Sequence, residues 1–398
     1  MSMARKSHAA LKVPELPSTG QFPIDPVIAG IAVFLLLYGL IMVGSASMEV
    51  GAKTYGNAFH LLTRHGIYLV LAGLAAVLAI SVPVQVWQRW DAGLLGFAFL
   101  LLVVVLLPGI GKEVNGSTRW IALGPFSLQG SEFVKLFVMI YMAGYLVRRA
   151  EEIETSLSGF AKPLVILTLI VLLLLGQPDF GAAIVIISAA IGMIFLAGVP
   201  YRFFLPLVAL CVSAVALIAT LQPYRLARLT AFADPWEHQF GSGYQLTQAL
   251  IAFGRGEWFG LGLGNSIQKL FFLPEAHTDF LFSIIAEELG IIGAGLVILL
   301  FAALVIRGLA IGNEARNKSL MFHAYLAYGI ALILGIQASV NLGVNLGVLP
   351  TKGLTLPLMS YGGNSLIVSC MMIAILLRID FETRQAAVPE AKKGRRNG

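Results

Sequence analysis

The stretch VIAGIAVFLLLYGLIMVGSASM, residues 27–48, contains no acidic or basic side chain. A helix needs roughly 20 apolar residues to cross the hydrocarbon core of a bilayer. The stretch is therefore predicted to be a transmembrane helix, and it is too long for the apolar region of a cleavable signal peptide. Residues 1–26, which include Arg5, Lys6 and Lys12, form a predicted polar N-terminal tail.

The rest of the chain has the same apolar character. Of its 398 residues, 58% are hydrophobic and 12% are charged, whereas about 25% of the residues of a soluble domain are charged. A water-exposed globule cannot bury so many apolar side chains, so lipid must solvate most of this protein. The two cysteines, Cys211 and Cys370, lie in apolar stretches and indicate no disulfide framework.

Ten apolar stretches are long enough, or nearly long enough, to span a membrane. They are residues 27–48, 66–82, 93–107, 133–146, 164–175, 181–197, 203–221, 280–306, 319–342 and 354–377. The fifth and sixth nearly merge across Gln177-Pro178-Asp179, which we interpret as a helical hairpin, because Pro followed by a capping Asp begins a new helix. One long span is the alternative. The predicted fold is an all-α polytopic membrane protein of about ten transmembrane helices, with residues 27–380 as its membrane domain.

The distribution of Lys and Arg predicts the orientation, because loops on the inside of a membrane are enriched in both. The predicted inside segments carry Arg5, Lys6, Lys12, Arg89, Arg148, Arg149, Lys162, Arg202, Arg307, Arg316 and Lys318. The short outside loops carry only Lys53, Arg64, Lys112, Arg119 and Lys352. Both termini are therefore predicted to be cytoplasmic, with residues 381–398 as a basic cytoplasmic tail.

One outside loop, residues 222–278 between the seventh and eighth spans, is much longer than the others. Loops longer than about 15 residues are usually functional or disordered, and this one is rich in aromatic residues, which argues against disorder. Residues 246–253 are a candidate short helix. We expect the loop to be partly re-entrant or interfacial and to fold against the outer mouth of the bundle.

The first group of chemically active residues is PEAHTDF, residues 274–280, where this loop enters the eighth span. One interpretation is structural, since Thr278 or Asp279 can cap the helix. The other is functional: Asp279, Ser283 and Glu287 follow at four-residue steps on one helix face. Glu287 would lie roughly 12 Å below Asp279, and a cap does not require a second acid in the membrane. Both interpretations stay open.

Two further groups lie in other outside segments. Arg119, beside Trp120, suits the binding of an anion, whereas Glu132 and Lys135 are three residues apart and are expected to form a buried structural pair. Lys352 is the only charged residue of its loop, which continues to Ser360 and a Gly-Gly pair that admits close backbone approach. Asp179, after Pro, is interpreted as a cap.

All three groups and Asp179 fall on the same predicted side of the membrane. Carboxylates together with Arg and Lys at the rim of a bilayer suit a lipid-linked anionic substrate. No phosphate-binding loop or dinucleotide fingerprint occurs, and no Cys and His spacing indicates zinc. The sequence also indicates no nucleic-acid partner.

These motifs, taken in order, resemble those of the SEDS family, the shape, elongation, division and sporulation proteins of bacterial cell-wall synthesis. The matching strings are GSTRWI at 116–121, QPDFG at 177–181, PEAHTDF at 274–280, EELG at 287–290 and SYGGNS at 360–365. Residues 350–357 resemble the division member more than the rod-shape member. Gly130 and Asn364 depart from the family pattern, which has Pro and often Ser or Thr at these places.

The resemblance implies a peptidoglycan glycosyltransferase, a hexosyltransferase that polymerises lipid II on the periplasmic side of the bacterial inner membrane for septal cell-wall synthesis. The reaction would invert an alpha-linked undecaprenyl-diphosphate donor to a beta-1,4 product, with Asp279 as the base. The substrate would be bound by Arg119 and Lys352 at the diphosphate and by Glu275, His277 and Ser360. Glu132, Lys135 and Glu287 would support the site.

The resemblance also implies a class B penicillin-binding protein, a cross-linking transpeptidase, as partner together with other division proteins, and a divalent cation, Mg or Mn, as a candidate cofactor. Two alternatives remain: the elongation member of the same family, and a lipid II flippase. A flippase needs a polar path through the whole bilayer. The predicted buried acids are confined to the outer part of the eighth span, which favours the enzyme.

Overall fold

The computed structural model describes residues 24–114, 117–124, 126–221 and 223–386. The helices are α1 (Pro26–Tyr55), α2 (His60–Ser81), α3 (Val84–Arg89), α4 (Asp91–Leu106), α5 (Gly130–Arg148), α6 (Ala150–Thr155), α7 (Leu157–Gly176), α8 (Phe180–Leu196), α9 (Tyr201–Leu221), α10 (Pro223–Ala233), α11 (Tyr244–Gly256), α12 (Leu281–Asn317), α13 (Met321–Asn345) and α14 (Gly363–Gln385). The strands are β1 (Gly111–Val114), β2 (Ser117–Leu123) and β3 (Phe126–Gln129). Most of the two predicted tails lies outside the described residues.

Each of the ten predicted spans coincides with a helix. Among the described residues, α1, α2, α5, the Gly159–Gly176 part of α7, α12 and α13 are long and apolar enough to cross a membrane unaided. Three shorter apolar helices are Asp91–Leu106, Phe180–Leu196 and Tyr201–Ala214, and α14 is the tenth. Polar contacts join the start of α1 to the end of α14, where Arg384 lies 3.6 Å from Asp25. An even number of crossings brings these two ends together, as predicted.

The helices differ in how much lipid they contact. In the most apolar part of α5, 83% of the residues are buried inside the protein, against 17% in α2. α5 packs between α4, α8, α13 and α14 and forms the centre of the bundle. The sequence of α5 contains Glu132, Lys135 and two tyrosines, and a central helix can hold these polar side chains because protein groups, rather than lipid, surround them.

Two features of the fold differ from the prediction. β1, β2 and β3 form a three-stranded antiparallel sheet of order β1-β2-β3, where only a loop was expected. The tenth helix begins at Gly363 rather than near Leu354. Pro357 and the Gly362-Gly363 pair keep the preceding segment non-helical, because Pro lacks a backbone donor and Gly gains little from a helix.

The predicted hairpin between α7 and α8 is confirmed. α7 ends at Gly176 and α8 begins at Phe180. The Asp179 carboxylate accepts a hydrogen bond from the backbone N–H of Ala182 at 3.2 Å, so Asp179 is the N-cap of α8.

The long loop between α9 and α12 contains two helices. α11 confirms the predicted short helix, and α10 precedes it. After α11, the chain is held against α12 by Glu287, which is fully buried. Its carboxylate accepts hydrogen bonds from the hydroxyl of Ser266 and from the backbone N–H groups of Ile267 and Gln268, and it pairs with Arg255 at 3.2 Å.

Glu288 holds the same segment from the neighbouring position. Its carboxylate accepts hydrogen bonds from the backbone N–H of Gly264 at 3.0 Å and from Ser45 of α1 at 2.7 Å. It also pairs with the ammonium of Lys269 at 2.7 Å. The two adjacent carboxylates therefore tie residues 255–269 to α12, and Glu288 adds α1.

α12 is kinked at Gly290, whose φ of 68° and ψ of −168° are non-helical. The kink exposes two carbonyl groups that a straight helix would use internally. The backbone N–H groups of Leu261 and Gly262 donate to the carbonyls of Glu287 and Glu288 at 2.9 and 3.0 Å. The loop backbone therefore binds directly to the α12 backbone at the kink.

We expect Gly290→Ala to destabilise the protein. This backbone conformation is almost exclusive to glycine, and adopting it with a side chain costs about 1–3 kcal/mol. A Cβ at Gly290 would also collide with the carbonyl of Trp258. The matched control is Gly295→Ala in the same helix, where no other atom lies within 4 Å of the added Cβ. Thermal unfolding in detergent should show a lower midpoint for the first variant alone; equal midpoints would contradict the assignment.

Candidate active site

Four separate segments meet at one end of the bundle, which we call the loop end. They are the sheet β1–β3, the α7–α8 hairpin, residues 223–280 and residues 346–362. Hydrogen bonds join these segments. Arg119 of the sheet donates to the carbonyl of Gln177 in the hairpin (3.2 Å), and Asn364, at the start of α14, donates to the carbonyl of Ser127 in the sheet (2.8 Å). Residues 223–280 and 346–362 are joined by Arg228, which donates to the carbonyl of Thr351 (3.1 Å), and by the N–H of Tyr361, which donates to the carbonyl of His277 (3.0 Å). The prediction that the three groups lie on the same side is confirmed.

Asp279 lies just before α12 and does not cap it, so the capping interpretation of Thr278 and Asp279 is wrong. α12 begins at Leu281, with Phe280 at the N-cap and no side-chain cap from its own segment. The Thr278 hydroxyl donates instead to Glu275 at 2.7 Å. Because Asp279 precedes the helix, the expected helical face shared with Ser283 and Glu287 does not include it.

Hydrogen bonds hold the backbone of Asp279, whereas its carboxylate accepts none from the described residues. The carbonyl oxygen accepts hydrogen bonds from the side-chain amides of Asn341 and Asn345 at 2.8 and 3.0 Å. A Cβ added to Gly353 would lie 3.2 Å from Asp279 Oδ2, so glycine leaves room for the acid there. Among the described residues, none donates a hydrogen bond to the Asp279 carboxylate. The acid is therefore held in place and remains available to a ligand.

Burial and, to a smaller extent, the negative charge of Glu275 together raise the pKa of the Asp279 carboxyl from 3.8 to about 7. Arg119 and Arg228 act in the opposite direction. A carboxylate with a pKa near neutrality is well suited to accept and release a proton at physiological pH. Asp279 is thus the group at the loop end whose environment fits general-base chemistry.

Arg119 lies on β2 and faces the α7–α8 hairpin. Its guanidinium donates to the carbonyl groups of Gln177 and Pro178 and lies 3.9 Å from the Asp179 carboxylate. Its side chain keeps 24% of its surface exposed. Because its charge also acts on Asp279, Arg119 lies near enough to stabilise an anion bound beside the acid.

Lys352 and Arg228 bring further positive charge to the same place. The Lys352 ammonium lies 4.3 Å from the centre of the Phe180 ring, and the neighbouring residue, Gly353, adjoins Asp279. Arg228 of α10 donates to the carbonyl of Thr351 and lowers the pKa of Asp279. The charges of Arg119 and Arg228 therefore act on Asp279, and Lys352 lies in the segment that adjoins it.

The other three residues predicted to contact the substrate, Glu275, His277 and Ser360, differ in how far they are exposed to solvent. Glu275 is exposed, and its charge acts on Asp279. His277 is half-buried, and its Nδ1 is buried with no hydrogen-bond partner among the described residues. Burial lowers the pKa of the His277 ring. Ser360 is buried, and its hydroxyl accepts a hydrogen bond from the N–H of Leu356 at 3.0 Å, which closes a turn.

Glu132 and Lys135 form the expected ion pair, with 2.8 Å between Oε2 and Nζ, and both side chains are buried. The Lys135 ammonium also donates to Gln337 of α13 at 2.6 Å. Gln337 in turn donates to the carbonyl of Thr355 at 3.0 Å. Through Gln337, the ion pair is thus connected to the segment that carries Lys352.

Four polar residues at the loop end are not predicted by the sequence patterns above: Arg228 and three amides of α13, Gln337, Asn341 and Asn345. Arg228 lies in the long predicted loop, where no motif distinguishes it from the other charged residues. The three amides repeat every four residues within an otherwise apolar helix, and this periodicity was the available signal, since polar residues at membrane depth usually serve a structural or catalytic purpose.

Comparisons with known proteins show which family the chain belongs to. The family model FTSW_RODA_SPOVE, described as cell cycle protein, matches residues 27–385. The probable peptidoglycan glycosyltransferase FtsW of Hahella chejuensis is 54% identical over 374 residues, which cover 94% of each chain. That of Pseudomonas fluorescens is 52% identical over 359 residues, which cover 90% of this chain and 88% of the relative.

Two solved structures are also similar. A chain from a peptidoglycan synthase complex, studied for the coordination of polymerization and crosslinking, superimposes with a TM-score of 0.74 at 29% identity, over 92% of this chain and 100% of that chain. The rod shape determining protein RodA of Thermus thermophilus gives a TM-score of 0.68 at 29% identity, over 91% and 98%.

We expect Glu132→Ala or Lys135→Ala to destabilise the protein by about 3–5 kcal/mol, because each leaves a buried charge without its partner. The control is Glu152→Ala, which breaks an exposed pair with Arg149 at the same three-residue spacing and should lower stability far less, because solvent screens exposed ion pairs. Thermal unfolding and the amount of protein in the membrane measure the difference. Two stable single variants would exclude a structural role for this pair.

Proposed function

Because the chain belongs to the FTSW_RODA_SPOVE family of cell cycle proteins, we propose that it is a peptidoglycan glycosyltransferase that polymerises lipid II. The 4-hydroxyl of an acceptor sugar attacks the anomeric carbon of the donor, and the bond to the undecaprenyl diphosphate breaks. The configuration inverts from alpha to beta, the acceptor proton goes to a base, and the diphosphate leaves as an anion. The reaction therefore needs one proton acceptor and a cationic surround for the leaving group.

The single observation that carries this proposal is the carboxylate of Asp279, which has no hydrogen-bond donor among the described residues and a pKa of about 7. Asp279 takes the proton of the acceptor hydroxyl. Arg119, Arg228 and Lys352 stabilise the leaving diphosphate. Glu275 tunes the basicity of Asp279 through its charge.

We place the enzyme in cell division rather than in elongation. The two relatives described above are both named FtsW, at 52–54% identity, whereas the similar rod-shape protein is 29% identical. The proposed partner is a class B penicillin-binding protein that cross-links the new strand. A similar chain belongs to a complex that couples polymerization and crosslinking, which supports this pairing.

We also propose that a divalent cation, Mg²⁺ or Mn²⁺, assists only as a counter-ion of the diphosphate. Within the part of the chain that the structure describes, no three His, Cys, Asp or Glu side chains gather closely enough to hold a metal ion. In this proposal, no bond forms or breaks on the metal ion. Adding EDTA to a polymerisation assay should slow the reaction without changing the thermal stability of the protein.

The proposed location is the bacterial inner membrane, with both termini in the cytoplasm and the loop end in the periplasm. The excess of Lys and Arg in the segments of the opposite end supports this orientation. We expect an impermeant thiol reagent applied from outside to modify a cysteine at Ser242 and to leave one at Asn313 unmodified, in a background without Cys211 and Cys370. The reverse pattern would place the proposed site in the cytoplasm and overturn the function.

We expect Asp279→Asn to abolish polymerisation of lipid II by the purified protein in detergent. The amide keeps the size of the side chain but cannot accept the proton, and loss of a general base costs about 100- to 10,000-fold. Thermal stability should change little, since the Asp279 carboxylate makes no hydrogen bond to the described residues. The control is Asp179→Asn, which removes charge from a helix cap and should lower stability more than activity.

A detergent assay also separates this enzyme from a flippase, because transport has no meaning without a bilayer. Polymerisation by the unaltered protein and none by Asp279→Asn supports the glycosyltransferase. Polymer formed by the Asn variant at near the unaltered rate would exclude Asp279 as the base, and Asp179 would be tested next.

The rate of polymerisation should depend on pH through Asp279. Because the base must be ionised and its pKa is about 7, the rate should fall as the pH drops below about 7 and level off above it. Glu275→Gln removes a negative charge that raises this pKa, so the falling limb should move to lower pH. A limb that stays at the same pH in Glu275→Gln would show that another group controls the rate.

A further inference from the structure

The buried face of α13 carries a row of three amides, Gln337, Asn341 and Asn345, spaced four residues apart. Residues at this spacing lie one above the other on a helix. Burying a primary amide is costly unless its hydrogen bonds are satisfied. Each of the three is satisfied, and the partners are largely backbone carbonyl groups of other segments rather than other side chains.

Asn345 fixes the beginning of α12. Its Oδ1 accepts hydrogen bonds from the backbone N–H of Ser283 at 3.1 Å and from the Ser283 hydroxyl at 2.7 Å. This acceptor supplies, from another helix, the cap that Asp279 does not provide. Its Nδ2 donates to the carbonyl of Asp279 at 3.0 Å. One amide thus fixes both sides of the junction between the loop and α12.

Asn341 connects the same junction to the segment that carries Lys352. Its Nδ2 donates to the carbonyl of Asp279 at 2.8 Å and to the carbonyl of Leu354 at 2.6 Å. The two acceptors belong to chain segments separated by all of α12 and α13. Asn341 therefore sets the distance between the acid and the basic segment directly.

We infer that Asn341 and Asn345 are positioning residues, which hold the Asp279 backbone so that its carboxylate lies beside Gly353 and accepts no hydrogen bond from the described residues. The inference rests on the proposed function of Asp279 as the base. Neither amide needs to touch the substrate. Both act on the main chain of Asp279, and this leaves the reactive oxygens free for the acceptor hydroxyl.

Gln337 has the same chemistry and burial but a different role. It donates to the carbonyl of Thr355 and accepts from Lys135, and it makes no hydrogen bond to Asp279. It therefore serves as the matched control on the same helix face. A loss of packing or of a buried amide would affect Gln337→Leu and Asn341→Leu alike, whereas a loss of positioning would affect only Asn341→Leu.

The test compares Asn341→Leu, Asn345→Leu and Gln337→Leu in full-length protein, each assayed for lipid II polymerisation below its own unfolding midpoint. We expect kcat to fall about 10- to 100-fold in the two Asn variants, because a shift of about 1 Å at a reacting group can cost 100-fold. KM should stay within about threefold. Gln337→Leu releases Thr355 in the segment that carries Lys352, so it should lose stability and raise KM, while kcat stays within about threefold of that of the unaltered enzyme.

The acidic limb of the pH profile is the second readout. The charged groups that act on Asp279 are Glu275, Arg119 and Arg228, with Lys352 in the adjoining segment. Displacing the acid changes its distance from all four, so the limb should move in the Asn variants and stay in place in Gln337→Leu. A partly unfolded sample would lose amplitude without moving the limb. If Asn341→Leu does not accumulate, Asn341→Ser, which retains one donor, replaces it.

The outcomes separate the inference from the proposed function. An active Asp279→Asn variant would overturn the proposed function itself. An inactive Asp279→Asn variant, combined with normal kcat and an unmoved limb in both Asn variants, would overturn the positioning role alone. Equal losses in Gln337→Leu and Asn341→Leu, with no movement of the limb, would likewise assign the row of amides to stability only.

Discussion

The architecture depends on two adjacent carboxylates, Glu287 and Glu288, buried in α12. Between them they bind backbone N–H groups, hydroxyls, Arg255 and Lys269 of the segment that precedes Asp279. A buried charge must be compensated by close partners, because the surrounding medium cannot solvate it. This requirement draws the loop onto the helix. The kink at Gly290 allows the contact, since it frees the two carbonyl groups that the loop backbone then uses.

The contacts of Glu287 and Glu288 hold the segment that precedes Asp279, but the Asp279 carboxylate makes none of these contacts itself. Nearly every polar group around it is satisfied by another protein group: Lys135 by Glu132, Arg119 by the hairpin carbonyls, and the carbonyl of Asp279 by two amides. The low dielectric of a bundle interior strengthens each of these contacts and makes an unpaired group costly. Among the described residues, the exceptions are Nδ1 of His277 and the Asp279 carboxylate, whose raised pKa reflects that cost. Buried carboxylates with a strongly raised pKa are typical of catalytic sites.

Much of this could be read from the sequence through local rules. The length of the apolar stretches predicted the ten membrane-spanning helices, and the Pro-Asp step predicted the hairpin. The three-residue spacing predicted the Glu132–Lys135 pair. The failures occurred where a distant partner replaced a local one. Asp279 was a reasonable cap by type and position, but Asn345, more than sixty residues away, fills that role for α12. The sheet was overlooked because its strands are short and pair mainly with each other.

By itself, the sequence determined that the chain crosses a membrane repeatedly and that its acids and bases gather at one end, because hydropathy and charge act on each segment separately. It also determined which side chains could carry the chemistry. Only the tertiary structure decided which carboxylates are neutralised and which one is left available. That outcome depends on the partners that α1, α5, α10 and α13 bring to the loop end. Desolvation and charge pairing depend on distances in space, and the order of residues does not specify those distances.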